Sequence, residues 1–299
     1  MITGPPHRVL RWIATAVRMA RYLFVVAAVS SSGLTSVAAA PPQRIVSLNV
    51  CTDQILIDLV ARDRIAAVTH LAIDPLSAAV PEKAAGLRTT RGAAEEVLAA
   101  DPDLIIAGQY STPATVALLR RVGRRVVTVP QPGTIDGVRA LIRTMATAVE
   151  EPAAGGRLIA DMDRRIAAAR RDPVPGERRP VALVYQVNNY VSASGSLIDE
   201  ALRLAGFDNG ASRFGLGRTA QIGLEILVSN PPDLLILASG PNTYRTAVAD
   251  NLRHPVLAHL AKTHPAVVVP WPLWLCGTQH IAAAVERLAN AYALQGGWR

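Results

Sequence analysis

A chain of 299 residues, half of them apolar, has enough material for a large buried core, either one α/β domain or two lobes. Charged residues make up 18% and are scattered rather than blocked, which excludes an acidic tail protein and a low-complexity chain. The formal charge of +8 invites a nucleic-acid or membrane-surface reading, so its location decides more than its size.

Part of that charge is at the N-terminus. Arg8, Arg11, Arg18 and Arg21 precede the apolar run "YLFVVAAV" (22–29), which continues through small residues into "TSVAAAPP". This is the layout of a secretory signal peptide over residues 1–39. Cleavage after Ala39 puts Val37 and Ala39 at the two small-residue positions, whereas cleavage after Ala40 leaves Pro41 beside the scissile bond. Removal takes four arginines and no acid, so the charge falls from +8 to +4 and the argument for a nucleic-acid partner largely goes with it. The apolar run is far below the roughly 20 residues a bilayer requires. The expected product is soluble and periplasmic.

Export also sets the redox compartment. The two cysteines, Cys51 and Cys276, can form a disulfide there despite their separation, and neither has zinc-type CxxC spacing. Two separate thiols, or two soft contacts to a ligand's metal, remain open readings.

From residue 44 short apolar runs alternate with amphipathic stretches: "RIVSL", "DQILIDLVA", "RIAAVTH", "AAEEVLAA", "DLIIAG", "PATVALLRRVG" and "RRVVTVP", then a helix from about Ile135 to Val149. Continuous apolar strands that each lead into a helix predict a mostly parallel sheet with both faces covered. "EPAAGGRLIADMDRRIAAARRD" (151–172) has an apolar side with Leu158, Ile159, Met162 and Ile166 and an arginine-rich side, and predicts one long helix. Pro173, Pro175 and Pro180 break the chain, and the pattern resumes with "PVALVYQ", "LIDEALRLAG", "IGLEILVS", "DLLILASG" and "AVVVPW", closing on a helix from about Gln279 to Leu294. The fold class is therefore α/β. An N-terminal lobe over 42–149 and a C-terminal lobe over 179–297 are bridged by one helix over 151–172.

The lobes share a local repeat. Glu95, Pro102, Asp103 and Leu104 recur as Glu225, Pro232, Asp233 and Leu234, at a constant offset of 130.

In open parallel sheets ligands bind beyond the carboxyl ends of the strands. Only ten aromatic residues follow residue 39, yet Tyr110, Tyr190, Trp271 and Trp274 all fall just after apolar runs. Cys51, Thr52, His70 and Arg91 occupy other strand ends or the loop before Glu95. Such a set suits a large, flat, partly apolar ligand such as a chelate or macrocycle. Motifs for dinucleotide or phosphate binding, for zinc proteases and for serine hydrolases are missing, and no carboxylates converge, so no catalytic residue is assigned. Cys51, His70, Cys276 and His280 form a weaker alternative, a bare Zn or Mn site or a metal-dependent enzyme on the same scaffold.

"RIVSLNVCTDQILIDL" with "RIAAVTH", the repeated Glu-x6-Pro-Asp-Leu strand, the arginine-rich joining helix and "VVVPWPLWLCGTQHIAAAVERLA" resemble the periplasmic binding proteins that serve ABC importers of iron-siderophores, haem and vitamin B12. The resemblance covers about Gln43 to Ala293. It implies two lobes joined by a rigid helix, small opening motions and a ligand held between the lobes. It also implies a monomeric receptor with no cofactor of its own and no enzymatic activity, which delivers a metal chelate to a permease dimer. Glu95 and Glu225 fall where members of this family pair with permease arginines. Thr90 and Gly108 stand at two positions that are aromatic in cobalamin binders, and Leu275 or Cys276 near the position of an acidic residue. Arg91, Arg213 and Arg218 are the arginines available to grip an anionic siderophore.

Overall fold

The computed structural model describes residues 40–172, 176, 178–214, 219–240, 243 and 246–294. The expected signal peptide (1–39) and Arg218 lie outside the described residues.

The first lobe is built on a five-stranded, all-parallel sheet from β1 (Ile45–Ser47), β2 (Ile65–Thr69), β3 (Thr89–Thr90), β4 (Leu104–Gly108) and β5 (Val126–Val129), in the order β3-β2-β1-β4-β5. Helices α1 (Val50–Leu59), α2 (Ala94–Leu98), α3 (Pro113–Arg121) and α4 (Ile135–Ala148) connect the strands and lead out of the lobe. Two of these starts are held by a side-chain cap: Asn49 Oδ1 accepts from Cys51 N at 2.9 Å, and Thr134 Oγ1 accepts from Gly137 N at 3.0 Å.

Helix α5 (Pro152–Ala169) crosses to the second lobe. Its buried positions Gly155, Ile159, Met162, Ile166 and Ala169 recur every three or four residues, one stripe of a helix. Arg139 of α4 pairs with Asp163 at 2.9 Å, and Arg165 pairs with Glu286 of α10 (Ile281–Leu294) at 2.8 Å, so an ion pair fixes the helix on each side.

The second sheet contains β6 (Val181–Tyr185), β7 (Tyr190–Ser192), β8 (Asp208–Asn209), β9 (Thr219–Gln221), β10 (Leu234–Leu237) and β11 (Ala266–Val268). Its order is β11-β10-β6-β7-β9, with β8 also on β6. Strands β6, β8, β10 and β11 are parallel, but β7 runs antiparallel to both β6 and β9, which makes this sheet mixed. Its helices are α6 (Leu197–Leu204), α7 (Leu224–Ser229), α8 (Pro255–Thr263) and the four-residue α9 (Pro272–Leu275).

Alternate residues of the central strands explain why these runs read as continuously apolar. Ile45, Leu104, Ile106, Ala182, Val184, Leu234 and Ile236 face one core shared by the lobes, to which α5 contributes Met162 and Ile166. Val46 and Ile105 face a second core under α2 and α3, and Leu183, Tyr185, Leu235 and Leu237 a third under α7 and α8. The repeated Pro-Asp has the same task in both lobes. Asp103 accepts from the N–H groups of Gln43 and Arg44 at 2.6 and 3.0 Å, and Asp233 accepts from Val181 N at 2.7 Å, so each aspartate clamps the entry to its lobe's first strand.

Candidate functional site

The carboxyl ends of both sheets open into cavities. In the C-terminal lobe a cavity of about 400 Å³ is lined by Gln186 and Val187 after β6, Tyr190 of β7, Ala238 and Ser239 after β10, Thr246, and Trp271 after β11. In the N-terminal lobe a cavity of about 190 Å³ lies against Leu48 and Asn49 after β1, Thr69 and His70 at the end of β2, Arg91 and Gly92 after β3, and Tyr110 to Thr112 after β4. Tyr110, which is 73% exposed, and Asn49 also border a narrow crevice that Cys51, Gln131, Pro132 and Cys276 complete.

Cys51 and Cys276 form a disulfide, with their Cα atoms 4.9 Å apart across 225 residues of sequence. Cys51 lies in the first turn of α1, and Cys276 caps α9 in the other lobe. The bond therefore joins the two strand-end edges, between the two cavities' walls.

His70, Arg91 and Tyr110 are exposed on the N-terminal wall. Glu96 shapes the loop that carries Arg91: its carboxylate accepts from Thr90 Oγ1 and Arg91 N, both at 2.7 Å. The Thr90 hydroxyl bond, then the Arg91 amide bond, hold the Glu96 carboxyl below its ordinary range. Tyr190 and the half-buried Trp271 are on the C-terminal wall. Thr52 borders the crevice, but it is 1% exposed and its hydroxyl is occupied, donating to Asn49 O at 2.9 Å and paired with Ser47 Oγ at 2.7 Å.

Trp274 departs from the expectation. It is 3% exposed and packs in the core shared by the lobes, because Pro272 starts α9 shortly after β11 and turns Leu273 and Trp274 inward. The alternative metal set also changes. The disulfide removes both thiolates, His280 is buried, and among the described residues no three His, Cys, Asp or Glu side chains gather as ligands.

Three features escaped the sequence reading. Gln186 and Ser239 supply polar groups to the larger cavity, and both directly follow buried strands, the positions at which a parallel sheet places ligand contacts. Asp53 gives no local signal. It lies fully buried behind the N-terminal wall, where Oδ2 accepts from Thr69 N at 3.1 Å and from the Thr69 hydroxyl, while Oδ1 has no partner among the described residues. Burial pushes its carboxyl up to about 7, against the opposing effects of the Ser47 and Thr69 hydroxyls and the Thr69 amide.

The family model described as periplasmic binding protein matches residues 45–264. The chain belongs to the periplasmic binding protein family. Members of this family are binding proteins, and the family implies export. Among solved structures, the chain is similar to the periplasmic haem-binding protein RhuT from Roseiflexus sp. RS-1 in apo form, with 23% identity and a TM-score of 0.69 over 85% of this chain and 99% of that one. It is also similar to the periplasmic vitamin B12 binding protein BtuF of Vibrio cholerae, with 18% identity and a TM-score of 0.63 over 86% and 99% of the two chains. At these identities the likeness is one of fold. A cobalamin-binding protein of Halobacterium salinarum is 28% identical over 198 residues, which cover 65% of this chain and 53% of the relative. The match thus spans about half the length of the curated relatives.

Proposed function

We propose that this binding protein captures a metal chelate between its lobes, an amide-bearing corrinoid, and delivers it to an ABC importer. The observation that carries this reading is the 400 Å³ cavity at the strand ends, with Trp271 and Tyr190 for a flat apolar face and Gln186, Ser239 and Thr246 as uncharged hydrogen-bonding groups. Among the described residues the lining of that cavity is uncharged. His70, Tyr110 and Arg91 on the other lobe offer a metal-directed or polar-rim contact. The cobalamin-binding relative from Halobacterium salinarum points the same way, and the haem-binding structures keep haem as the competing ligand.

Titrating the purified protein with cyanocobalamin, cobinamide, haemin and a ferric hydroxamate, read by tryptophan quenching and calorimetry, tests the reading. Corrinoid binding at micromolar or better, weakened at least tenfold in Trp271→Ala, supports it. Preference for haemin or the hydroxamate replaces the ligand class, and indifference to all four refutes the reading.

Glu95 and Glu225 are the proposed docking contacts. Each lies exposed in the first turn of its short helix, α2 or α7. Glu95→Ala combined with Glu225→Ala is expected to lower uptake in cells and leave ligand affinity unchanged. Export by cleavage after Ala39 is tested by N-terminal sequencing of the secreted chain.

A further inference from the structure

The lobes meet along a second seam, remote in sequence from α5. On α1, Cys51, Gln54 and Asp58 are spaced three and four residues apart and so lie on one face. That face meets the segment that follows α9. Cys51 bonds to Cys276, Gln54 Nε2 lies 3.5 Å from Cys276 Sγ, and Gln279 Nε2 donates to Gln54 O at 3.0 Å and Asp58 Oδ2 at 2.9 Å. From β5's loop, Gln131 Nε2 donates to Leu275 O at 2.9 Å. Gly277, at φ +56°, lies so close to Pro132 that a Cβ would sit 2.7 Å from its ring. Cys276 is 1% exposed in an apolar cluster with Val50 and Ala78, so the seam is closed to water at its centre.

This seam is directly connected to the cavity wall. Trp271 O accepts from Trp274 N at 3.1 Å and Leu275 N at 2.9 Å, so Trp271 and Cys276 belong to one short hydrogen-bonded unit. A lobe pair joined only through α5 can swing about that helix, whereas a pair joined a second time by a covalent bond at the cleft edge cannot.

We propose that the Cys51–Cys276 bond is a positioning clamp for the ligand site, holding the Trp271 wall at a fixed separation from the N-terminal wall that carries His70 and Tyr110. The consequence for binding rests on the cleft reading above; the consequence for lobe separation does not. The clamp removes conformational freedom before the ligand arrives, which lowers the ordering cost of binding and slows release. Its reduction takes two electrons and two protons, supplied in the test by dithiothreitol, which closes to its cyclic disulfide as the two protein thiols form.

The test compares wild type with Cys51→Ala/Cys276→Ala, both carrying spin labels through azidophenylalanine at the exposed positions Leu118 and Val256, one in each lobe. In the ligand-free state the variant is expected to show a broader inter-lobe distance distribution, while circular dichroism stays the same. For a chelate that wild type binds, the dissociation rate is expected to rise about tenfold with little change in association. Trp271→Ala should then cost less affinity in the variant than in wild type. Equal distance distributions overturn the clamp whether or not any chelate binds, and a wild type that binds no chelate fails the ligand reading alone. If the variant does not fold, wild type reduced with dithiothreitol, with two thiols counted, takes its place. Loss of helical dichroism in both forms assigns the bond to stability only and overturns the positioning role.

Discussion

Two buried titratable groups, one in each lobe, predict that a flat pH profile of stability hides two opposing slopes. Asp53 is fully buried on α1 with its carboxyl pushed up to about 7 from 3.8, and His280 is buried just before α10 with its imidazole pushed down to about 4 from 6.5. Desolvation is the larger cause in both; for His280 it outweighs the attraction of Asp58. Folded Asp53 keeps its proton where the unfolded chain has lost it. Its contribution is therefore fully present below pH 3.8 and is lost as pH rises through about 7, a total of about 4 kcal/mol. Folded His280 stays neutral where the unfolded chain takes up a proton. Its contribution is present above pH 6.5 and is lost as pH falls through about 4, a total of about 3 kcal/mol.

Between pH 5 and pH 8 the Asp53 effect lowers stability by about 2–3 kcal/mol and the His280 effect raises it by about 2 kcal/mol, so wild type changes little. Asp53→Asn removes the first and keeps an acceptor for Thr69. Its stability is expected to rise by about 2 kcal/mol from pH 5 to pH 8, a gain of roughly 0.7 M in urea midpoint at a slope of about 3 kcal/mol/M. His280→Gln removes the second, and its stability is expected to fall by about 2–3 kcal/mol over the same range. Urea unfolding followed by tryptophan emission at pH 5, 6, 7 and 8 measures all three proteins. Parallel profiles for wild type and Asp53→Asn would refute the assignment, since an ionised Asp53 at pH 5 makes no such difference.

Trp274→Ala should lose about 3–5 kcal/mol of stability, since the indole is fully packed, while Trp271→Ala, which removes an indole only partly buried against that core, should cost less stability and act on ligand affinity. Calorimetric melting and ligand titration of the two variants separate these roles. Gly155→Ala should destabilise the α4–α5 contact by about 1–3 kcal/mol, because the added Cβ meets that of Ala146 at 2.5 Å, and Ala146→Gly should rescue it in the double variant. Arg64→Met should cost about 2–4 kcal/mol in urea unfolding, since it leaves the buried carbonyls of Pro42 and Val149 without their guanidinium donor and unpairs Glu151.

How much of this was legible depends on whether a residue's environment is set locally. β1, β4, β6 and β10 could be read because a strand covered on both faces needs apolar side chains at every position, and α5 because its buried stripe keeps a helical period over its whole length. The antiparallel pair of β7 and β9 could not be read in the same way. "YVS" and "TAQ" are short and largely polar, and they are paired only because 26 intervening residues return Thr219 to Ser192. Strand-end position directs attention to the cavity walls, but it does not say whether a residue after the strand stays on the rim. Trp271 and Trp274 differ by three residues, and only the start of α9 at Pro272 takes the second into the core.

The same limit applies to α1. Its sequence pattern is that of an amphipathic helix. In the fold α1 is covered by its own sheet on one side and by residues 276–280 of the other lobe on the other, so the polar face becomes interior. Only contacts between residues more than 220 apart in sequence make that so for Gln54 and Asp58, whereas Asp53 is buried against Thr69 of its own sheet. The same contacts bring Cys51 within bonding distance of Cys276. A variant that separates the lobes along this seam should free Trp271 from the opposite wall while Asp53 keeps its bonds to Thr69.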